Sequence, residues 1–150
     1  MTTIPEGFTS VTPYIVMDDA ASAIEFYKKA LGAEEKMRFS APDGGVMYAE
    51  ILVGNARIMM GNACPDNDGK SAKSFGGSPV SFYVYVDDVE AAFSKAKGAG
   101  MSVKKGLEDM FWGDRMGTLT DPFYMEWTLA QHVRDVSPEE MREAVKKMAG

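Results

Sequence analysis

The sequence predicts an α+β fold in which two β-α-β-β-β modules form a curved mixed sheet around a cleft, followed by a C-terminal helix. The main observation is a repeat: "MDDAASAI" at 17–24 returns as "VDDVEAAF" at 86–93, 69 residues later. Each copy follows a tyrosine-bearing apolar run and leads into a lysine-containing helix end. Three short apolar segments separated by turn residues follow each helix. We therefore expect 1–150 to form a single domain built from a duplicated unit.

The first module is expected over about 9–62. It opens with "SVTPYIVM", a β-branched run typical of a strand. Asp18 or Asp19 then provides the N-cap of a helix through Leu31, which Gly32 ends. The turns "APDGG" and "VGN" separate three further strands. These strands are predicted over 35–40, 46–53 and 56–61.

The second module is expected over about 80–131. "VSFYVYV" is its first strand, Asp87 or Asp88 caps its helix, and glycines at 98–100 end that helix. Its remaining strands are predicted over 102–105, 117–120 and 125–130. The segment between the modules, 63–79, is rich in Gly, Ser, Asp and Pro and is predicted to be a flexible loop.

A last helix is predicted over about 138–149. Ser137 is placed to cap it, Pro138 takes the first helical position, and Glu140 completes a capping box. The apolar side of this helix needs to be covered, either by the sheet or by a second subunit. That side is formed by Val136, Met141, Val145 and Met148.

Composition excludes several classes of function. The net charge of −6 argues against binding to a nucleic acid backbone. The sequence has no apolar run near the roughly 20 residues that cross a bilayer, so no membrane partner is expected. The N-terminus lacks the features of a secretory signal, and the single Cys64 cannot form an internal disulfide. These features predict a cytoplasmic protein.

Three stretches carry a family resemblance: "VTPYIVMDDAASAIEFYKKALGAEE", "GGSPVSFYVYVDDVEAAF" and "DMFWGDRMGTLTDPF". They resemble the glyoxalase/bleomycin-resistance/extradiol-dioxygenase group, known as the vicinal oxygen chelate superfamily, and within it the PhnB-like branch. The resemblance runs from about Thr9 to Ala130. It implies the paired-module fold, but it does not define a reaction. Lyases, isomerases, dioxygenases, thiol transferases and non-catalytic antibiotic binders share that fold.

The resemblance also implies where the superfamily's metal enzymes hold their ion. Those ligand positions correspond here to Thr12, Met59, Ser81 and Thr128. A divalent site of this kind needs imidazole or carboxylate ligands, which these four residues do not supply. The PhnB-like branch commonly has histidines at three further positions, occupied here by Tyr48, Tyr83 and Met125. The only histidine, His132, is predicted to lie beyond the last strand and to be inert. We therefore expect no metal and no cofactor.

Strand alternation predicts which side chains line the cleft. If Ser81 faces the cleft, then Tyr83 and Tyr85 face it too. The same rule places Tyr14 beside Thr12, Arg57 beside Met59 and Glu126 beside Thr128, so that Arg57 and Glu126 face each other. Trp112, in "FWGDRMG", is a candidate lid. The expected ligand-binding residues are Tyr14, Tyr83, Tyr85, Arg57, Met59, Trp112 and Glu126.

A plainer interpretation assigns the same residues structural roles. The tyrosines then only fill space, Arg57 and Glu126 form a structural pair, and Asp114 with Arg115 braces a turn. We favour the structural role for Asp114 and Arg115.

The leading hypothesis is a metal-free homodimer that binds a small organic ligand, of the antibiotic-sequestering kind. The first alternative is a divergent lyase, isomerase or dioxygenase-like enzyme, in which Glu50, Glu126 and a tyrosine hold a metal at an offset site. The second alternative is a dimer without a small ligand. The sequence identifies no catalytic residue. Dimerisation is expected because sheet edges and the apolar side of the last helix need cover.

Overall fold

The computed structural model describes residues 3–67 and 69–150. Within those residues, eight strands and four α-helices follow one another in the order that the repeat predicts. They are β1 Tyr14–Met17, α1 Ala20–Leu31, β2 Glu34–Ser40, β3 Val46–Val53, β4 Ala56–Asn62, α2 Ala72–Phe75, β5 Ser81–Tyr85, α3 Val89–Ala99, β6 Ser102–Asp109, β7 Asp114–Thr120, β8 Glu126–His132 and α4 Pro138–Ala149.

The strands form two mixed four-stranded sheets with the same topology. The first has the order β1-β4-β3-β2 and the second β5-β8-β7-β6. In each sheet the first and last strands of a module pair in parallel, with Tyr14 opposite Met59 and Tyr83 opposite Thr128. Both pairs are related by the 69-residue offset of the sequence repeat. The α+β class and the duplicated module are thus confirmed, with the eight strands divided between two sheets.

Local sequence explains how both module helices begin. The Asp19 side chain accepts a hydrogen bond from the Ser22 amide, and the Asp88 side chain accepts one from the Ala91 amide. The N-cap of each helix is therefore the second aspartate of the Asp-Asp pair, Asp19 in α1 and Asp88 in α3. Gly32 ends α1 with a φ of 66°, a left-handed conformation that glycine adopts at little cost.

Two sequence predictions need correction here. The strands β6 and β7 together extend over the whole stretch from 102 to 120 apart from the turn 110–113, well beyond the predicted segments. Because β6 is a polar edge strand, it has no alternation of apolar residues that would reveal its length. The predicted flexible loop also contains structure: a 3₁₀ turn at Pro65–Asn67, and α2, capped by the buried Ser71.

The buried faces of both sheets pack on α1 and α3 and share one core. Its largest buried side chains include Tyr27 from α1 and Trp127 from β8, whose ring centroids are 5.2 Å apart. The opposite face of each sheet is open and carries exposed aromatic and methionine side chains. This division makes the open faces the places where a ligand can reach the sheets.

The C-terminal helix occupies the residues predicted for it. The Ser137 hydroxyl accepts a hydrogen bond from the Glu140 amide, as the capping signal requires. None of its described residues is buried, and Val145 and Met148 on its apolar side are 50% and 72% exposed. Among the described residues, no helix is both long and apolar enough to cross a membrane.

Candidate functional site

The alternation predicted for β5 is present in the structure. Phe82 and Val84 pack against the core, while Ser81, Tyr83 and Tyr85 lie on the open face. Tyr83 is 44% exposed and Tyr85 is 61% exposed, and their ring centroids lie 5.3 Å apart with planes inclined at 52°. Tyr14, the repeat equivalent of Tyr83, is 52% exposed on the open face of the first sheet.

A buried carboxylate organises the open face of the second sheet. Asp114, at the start of β7, is 1% exposed. Its Oδ2 accepts hydrogen bonds from the Tyr83 hydroxyl at 2.7 Å, the Tyr85 hydroxyl at 2.9 Å and the Trp112 indole N–H at 3.1 Å. Its Oδ1 lies 2.9 Å from Nδ1 of His132, the residue opposite it on β8. We call these five residues the Asp114 cluster.

The cluster shifts the pKa of its members. Burial opposes ionisation of Asp114, but the hydrogen bonds from His132, Tyr83, Tyr85 and Trp112 outweigh it and lower the carboxyl pKa. Burial, followed by the hydrogen bond to Asp114, raises the pKa of Tyr83 to about 12. The hydrogen bonds to Asp114 and then to Asp135 raise the pKa of His132. The phenol therefore stays neutral, and the carboxylate stays charged, across the physiological range.

These contacts overturn three expectations from the sequence. Asp114 does not pair with Arg115, because Arg115 binds Asp109 at 2.7 Å and Glu90 at 3.2 Å instead. His132 does not lie beyond the last strand but is its final residue. It is also not isolated, because Asp114 and Asp135 hold its two ring nitrogens. The contact between Asp114 and His132 could have been predicted from the sequence. In an antiparallel hairpin, the first residue of one strand lies beside the last residue of the other.

The open face of the first sheet holds a different charged group. Glu50, which is 6% exposed, accepts a hydrogen bond from the Tyr48 hydroxyl and one from Arg57 Nη1, each at 2.7 Å. Burial, followed by the bond to Glu50, raises the pKa of Tyr48 to about 12. The ring of Phe8, from the N-terminal segment, lies 4.9 Å from the Arg57 guanidinium carbon. Arg57 is therefore held by the Glu50 carboxylate and by the ring of Phe8.

A cavity of about 610 Å³ lies over this ion pair. Strands β2, β3 and β4 form its floor, and the N-terminal segment forms a wall. Two expected ligand-binding residues, Arg57 and Met59, line it together with Thr12, and its remaining lining residues include Phe8, Met37 and Tyr48.

An aromatic row crosses the first sheet beside this cavity. The ring centroid of Tyr48 lies 6.4 Å from those of both Tyr14 and Phe39. Gly61 lies beneath Tyr14: a Cβ added there would be 2.7 Å from the tyrosine hydroxyl. Phe39 and the contact role of Tyr48 were missed from the sequence, because cross-strand neighbours depend on the register of β2 against β3.

Arg57 and Glu126 do not face each other as predicted. Arg57 pairs with Glu50 inside the first module, and Glu126 forms its ion pair with Lys104 of β6, two strands away in the second sheet. The repeat correctly identified the two positions as equivalent. It did not reveal that each charge has a partner within its own sheet.

The superfamily's metal positions do not fit a metal. The side chains at these positions offer no imidazole or carboxylate, and the Thr128 hydroxyl is hydrogen-bonded to that of Thr118 at 2.8 Å. The carboxylates proposed for an offset site, Glu50 and Glu126, are both engaged by cations. Across 3–67 and 69–150, no group of three or more His, Cys, Asp or Glu side chains is arranged to hold a metal ion.

Comparison with known proteins agrees with this architecture. Residues 8–129 match the family model described as the Glyoxalase/Bleomycin resistance protein/Dioxygenase superfamily. The chain belongs to this superfamily.

Individual relatives extend the comparison. An uncharacterized protein of Mycobacterium bovis is 42% identical over 139 residues, which cover 91% of each chain. The crystal structure of an Arabidopsis thaliana gene product is similar with a TM-score of 0.67 and 29% identity, over 82% of this chain and 98% of the other. A Bacillus cereus protein described as a putative 3-demethylubiquinone-9 3-methyltransferase, PhnB protein, is similar with a TM-score of 0.63, over 82% of this chain and 99% of the other. At 16% identity, that last likeness concerns the fold alone.

Proposed function

We propose that this superfamily member is a small-molecule binding protein of the glyoxalase/bleomycin-resistance type that works without the superfamily metal. The observation that carries the proposal is the construction of the two open faces. On each face a buried carboxylate, Asp114 or Glu50, holds the polar ends of tyrosines whose rings remain exposed or half-buried. Rings held in this way offer preformed contact area at a low cost in conformational entropy.

The chemistry of the faces supports binding rather than catalysis. The tyrosine hydroxyls of Tyr48 and Tyr83 have pKa values raised to about 12, so they are poor proton acceptors or nucleophiles near neutral pH. Asp114 is too buried to reach a substrate. The accessible groups of both faces include aromatic rings, and those of the first face also include the Met37 thioether; such groups suit a flat or partly apolar organic molecule.

Each face lies on a separate sheet, and this supports a homodimer as the functional form. A second copy placed over the open faces would cover apolar side chains that the single chain leaves in water, among them Met37, Phe39 and Tyr85. It would also turn an open face into a concave ligand site. Within the superfamily, we place the chain in the PhnB-like branch, a proposal that rests on the sequence resemblance.

A ligand panel tests the binding function. We expect flat aromatic compounds to raise the melting temperature, and Tyr83→Ala to weaken their binding by about 5- to 150-fold, since stacking on one aromatic is worth about 1–3 kcal/mol. The repeat-equivalent Tyr14→Ala should act similarly from the first sheet. If Tyr83→Ala melts earlier while every compound binds as before, the tyrosines are structural and the proposal fails.

Metal analysis tests the other half of the proposal. Protein purified without chelators and without a histidine tag should contain no stoichiometric zinc, nickel, iron or manganese. A stoichiometric ion that is lost in a Glu50→Gln or Glu126→Gln variant would instead support the offset-metal enzyme. The two glutamate variants separate a specific site from adventitious metal.

A further inference from the structure

We propose that the Asp114 cluster binds an organic cation of the alkylated ammonium class, held on the faces of Tyr83 and Tyr85 with Trp112 at their side. This inference rests on the proposed function and specifies the ligand chemistry of one of its faces. Nothing in the superfamily assignment names such a ligand for these residues.

The polar groups of Tyr83, Tyr85 and Trp112 are already hydrogen-bonded within the cluster. Both tyrosine hydroxyls and the Trp112 N–H point at the same oxygen of Asp114, at 2.7 to 3.1 Å. A ligand carboxylate or phosphate approaching this face would find none of these donors free. Tyr83 and Tyr85 therefore present their ring surfaces to solvent. The quadrupole of an aromatic ring gives its face a partial negative charge.

The charge behind the rings of Tyr83 and Tyr85 is negative. Asp114 is buried, so a ligand cannot form a direct ion pair with it. Its hydrogen bonds keep the carboxyl pKa low, so the group remains anionic across the physiological range. A phenol that donates its proton to a carboxylate also gains electron density in its ring. Both effects strengthen the attraction of Tyr83 and Tyr85 for a cation over their faces.

The neighbouring charges do not cancel this attraction. His132 is the cation nearest Asp114, but its second ring nitrogen is bound to Asp135 at 2.7 Å. With His132 protonated, the two carboxylates and one imidazolium still sum to a net negative charge. Arg115, next to Asp114 in sequence, turns away to Asp109 and Glu90.

The shape of the surface selects among cations. The two tyrosine rings are 5.3 Å apart at 52° and make a bent surface, so one cation can lie within reach of both faces. The thioether of Met116, 3.3 Å from the Tyr83 hydroxyl, adds an apolar edge. A strongly hydrated ammonium or metal ion loses its water shell here without gaining hydrogen bonds. An alkylated ammonium gives up little hydration and fits the apolar surface.

The first sheet provides an internal precedent for the same chemistry. There the protein's own Arg57 guanidinium lies 4.9 Å from the centre of the Phe8 ring, beside the carboxylate of Glu50. The second sheet has a comparable combination of aromatic rings and a buried carboxylate. The cation–aromatic contact found among the described residues is that of Arg57 with Phe8, and none involves Tyr83 or Tyr85. We infer that the ligand supplies the cation there.

The test compares a cation with its neutral isostere. Benzyltrimethylammonium and neopentylbenzene, in which a carbon atom replaces the charged nitrogen, are titrated into the protein. Binding is followed by tryptophan fluorescence and by tyrosine ring signals in NMR spectra. The cation is expected to bind at least about 5-fold more tightly than the neutral compound, within the range of a cation–aromatic contact. Tyr85→Ala should weaken cation binding by about 2- to 30-fold. Tyr124→Asn, which removes an exposed tyrosine from a distant turn, should leave it unchanged.

The charge behind the rings is tested separately. Asp114→Asn should reduce the preference for the cation over the neutral compound, because the amide keeps the shape but not the charge. If that variant does not fold, the comparison of cation binding between the unchanged protein and Tyr85→Ala still tests the inference. Equal affinity for both compounds, or a cation affinity that Tyr85→Ala does not change, overturns this inference. Binding of neutral aromatic compounds that depends on Tyr83 would then leave the broader proposed function standing.

Discussion

Tyr27 donates a hydrogen bond from its hydroxyl to Oδ2 of Asp121, at 2.5 Å, and this contact joins the two modules in the centre of the protein. Tyr27 belongs to α1 of the first module, and Asp121 begins the turn between β7 and β8 of the second. The same carboxylate accepts the Trp127 indole N–H at 2.9 Å and the backbone amides of Phe123 and Met125. Of these donors, Tyr27 alone comes from the first module, so its hydrogen bond forms when the two modules pack together.

Replacing Tyr27 with phenylalanine should destabilise the fold without changing its shape. The variant leaves a buried carboxylate with one donor fewer, a change that typically costs about 1–3 kcal/mol. Chemical denaturation should show this loss in the free energy of unfolding. Tyr124→Phe is the matched control, because that residue is 42% exposed whereas Tyr27 is fully buried. Equal stability of the two variants would mean that the Tyr27 contact contributes nothing.

Two glycine-to-alanine substitutions should have opposite effects. A Cβ at Gly61 would lie 2.6 Å from the Met47 carbonyl oxygen and 2.7 Å from the Tyr14 hydroxyl, so Gly61→Ala should cost about 1–3 kcal/mol through overpacking. A Cβ at Gly98, inside α3, meets nothing within 4 Å. Gly98→Ala should stabilise by about 0.5–1 kcal/mol by lowering the entropy of the unfolded chain. Thermal unfolding of the two variants distinguishes the outcomes, and a neutral Gly61→Ala would contradict the packing described here.

The stabilising contribution of His132 should depend on pH. Asp114, from β7, and Asp135, from the loop after β8, raise its pKa above the usual 6.5, with the hydrogen bond to Asp114 as the larger cause. A raised folded-state pKa means that the contribution is fully present below about 6.5 and is lost as the pH rises through the folded value. The difference in melting temperature between the natural protein and His132→Gln should therefore be larger near pH 5.5 than near about pH 8.5.

A second variant gives the pH prediction its control. Asp135→Asn removes one of the two partners and should move the midpoint of the pH dependence toward a lower value. A melting-temperature difference that stays constant across this range would show that the His132 contacts act only through packing.

The protein should be a homodimer at micromolar concentration. Many of the apolar side chains left exposed in the single chain lie on the open sheet faces and on α4, where Val145 and Met148 are 50% and 72% exposed. Sedimentation velocity measures the mass directly. Val145→Glu with Met148→Glu shows whether α4 takes part, while a double change on the polar side, such as Glu139→Gln with Arg142→Gln, serves as control. A stable monomer would contradict the prediction.

Tyr83→Phe tests whether the Tyr83 hydroxyl has a role beyond that of its ring. The structure shows that this hydroxyl is one of the donors to the buried Asp114. Tyr83→Phe should therefore loosen the Asp114 cluster as well as alter its surface.

The sequence by itself determined the architecture of this protein. The repeated aspartate caps, the tyrosine-bearing strands and the 69-residue offset identified equivalent positions, and strand alternation assigned Tyr14, Tyr83 and Tyr85 to the open faces. These features are local or periodic, so they depend on residues that are close together in the sequence. The length of β6 was missed because a solvated edge strand needs no apolar alternation.

Only the tertiary structure decided which charged groups meet. Asp114 and Arg115 are adjacent in sequence, yet neighbouring residues on a strand point to opposite faces, so one enters the Asp114 cluster and the other turns toward α3. Arg57 is paired with Glu50 rather than Glu126 because the register of β3 against β4 brings them together. Burial then sets the strength of each contact, since a charge withdrawn from water binds whichever partner the packed strands place within reach.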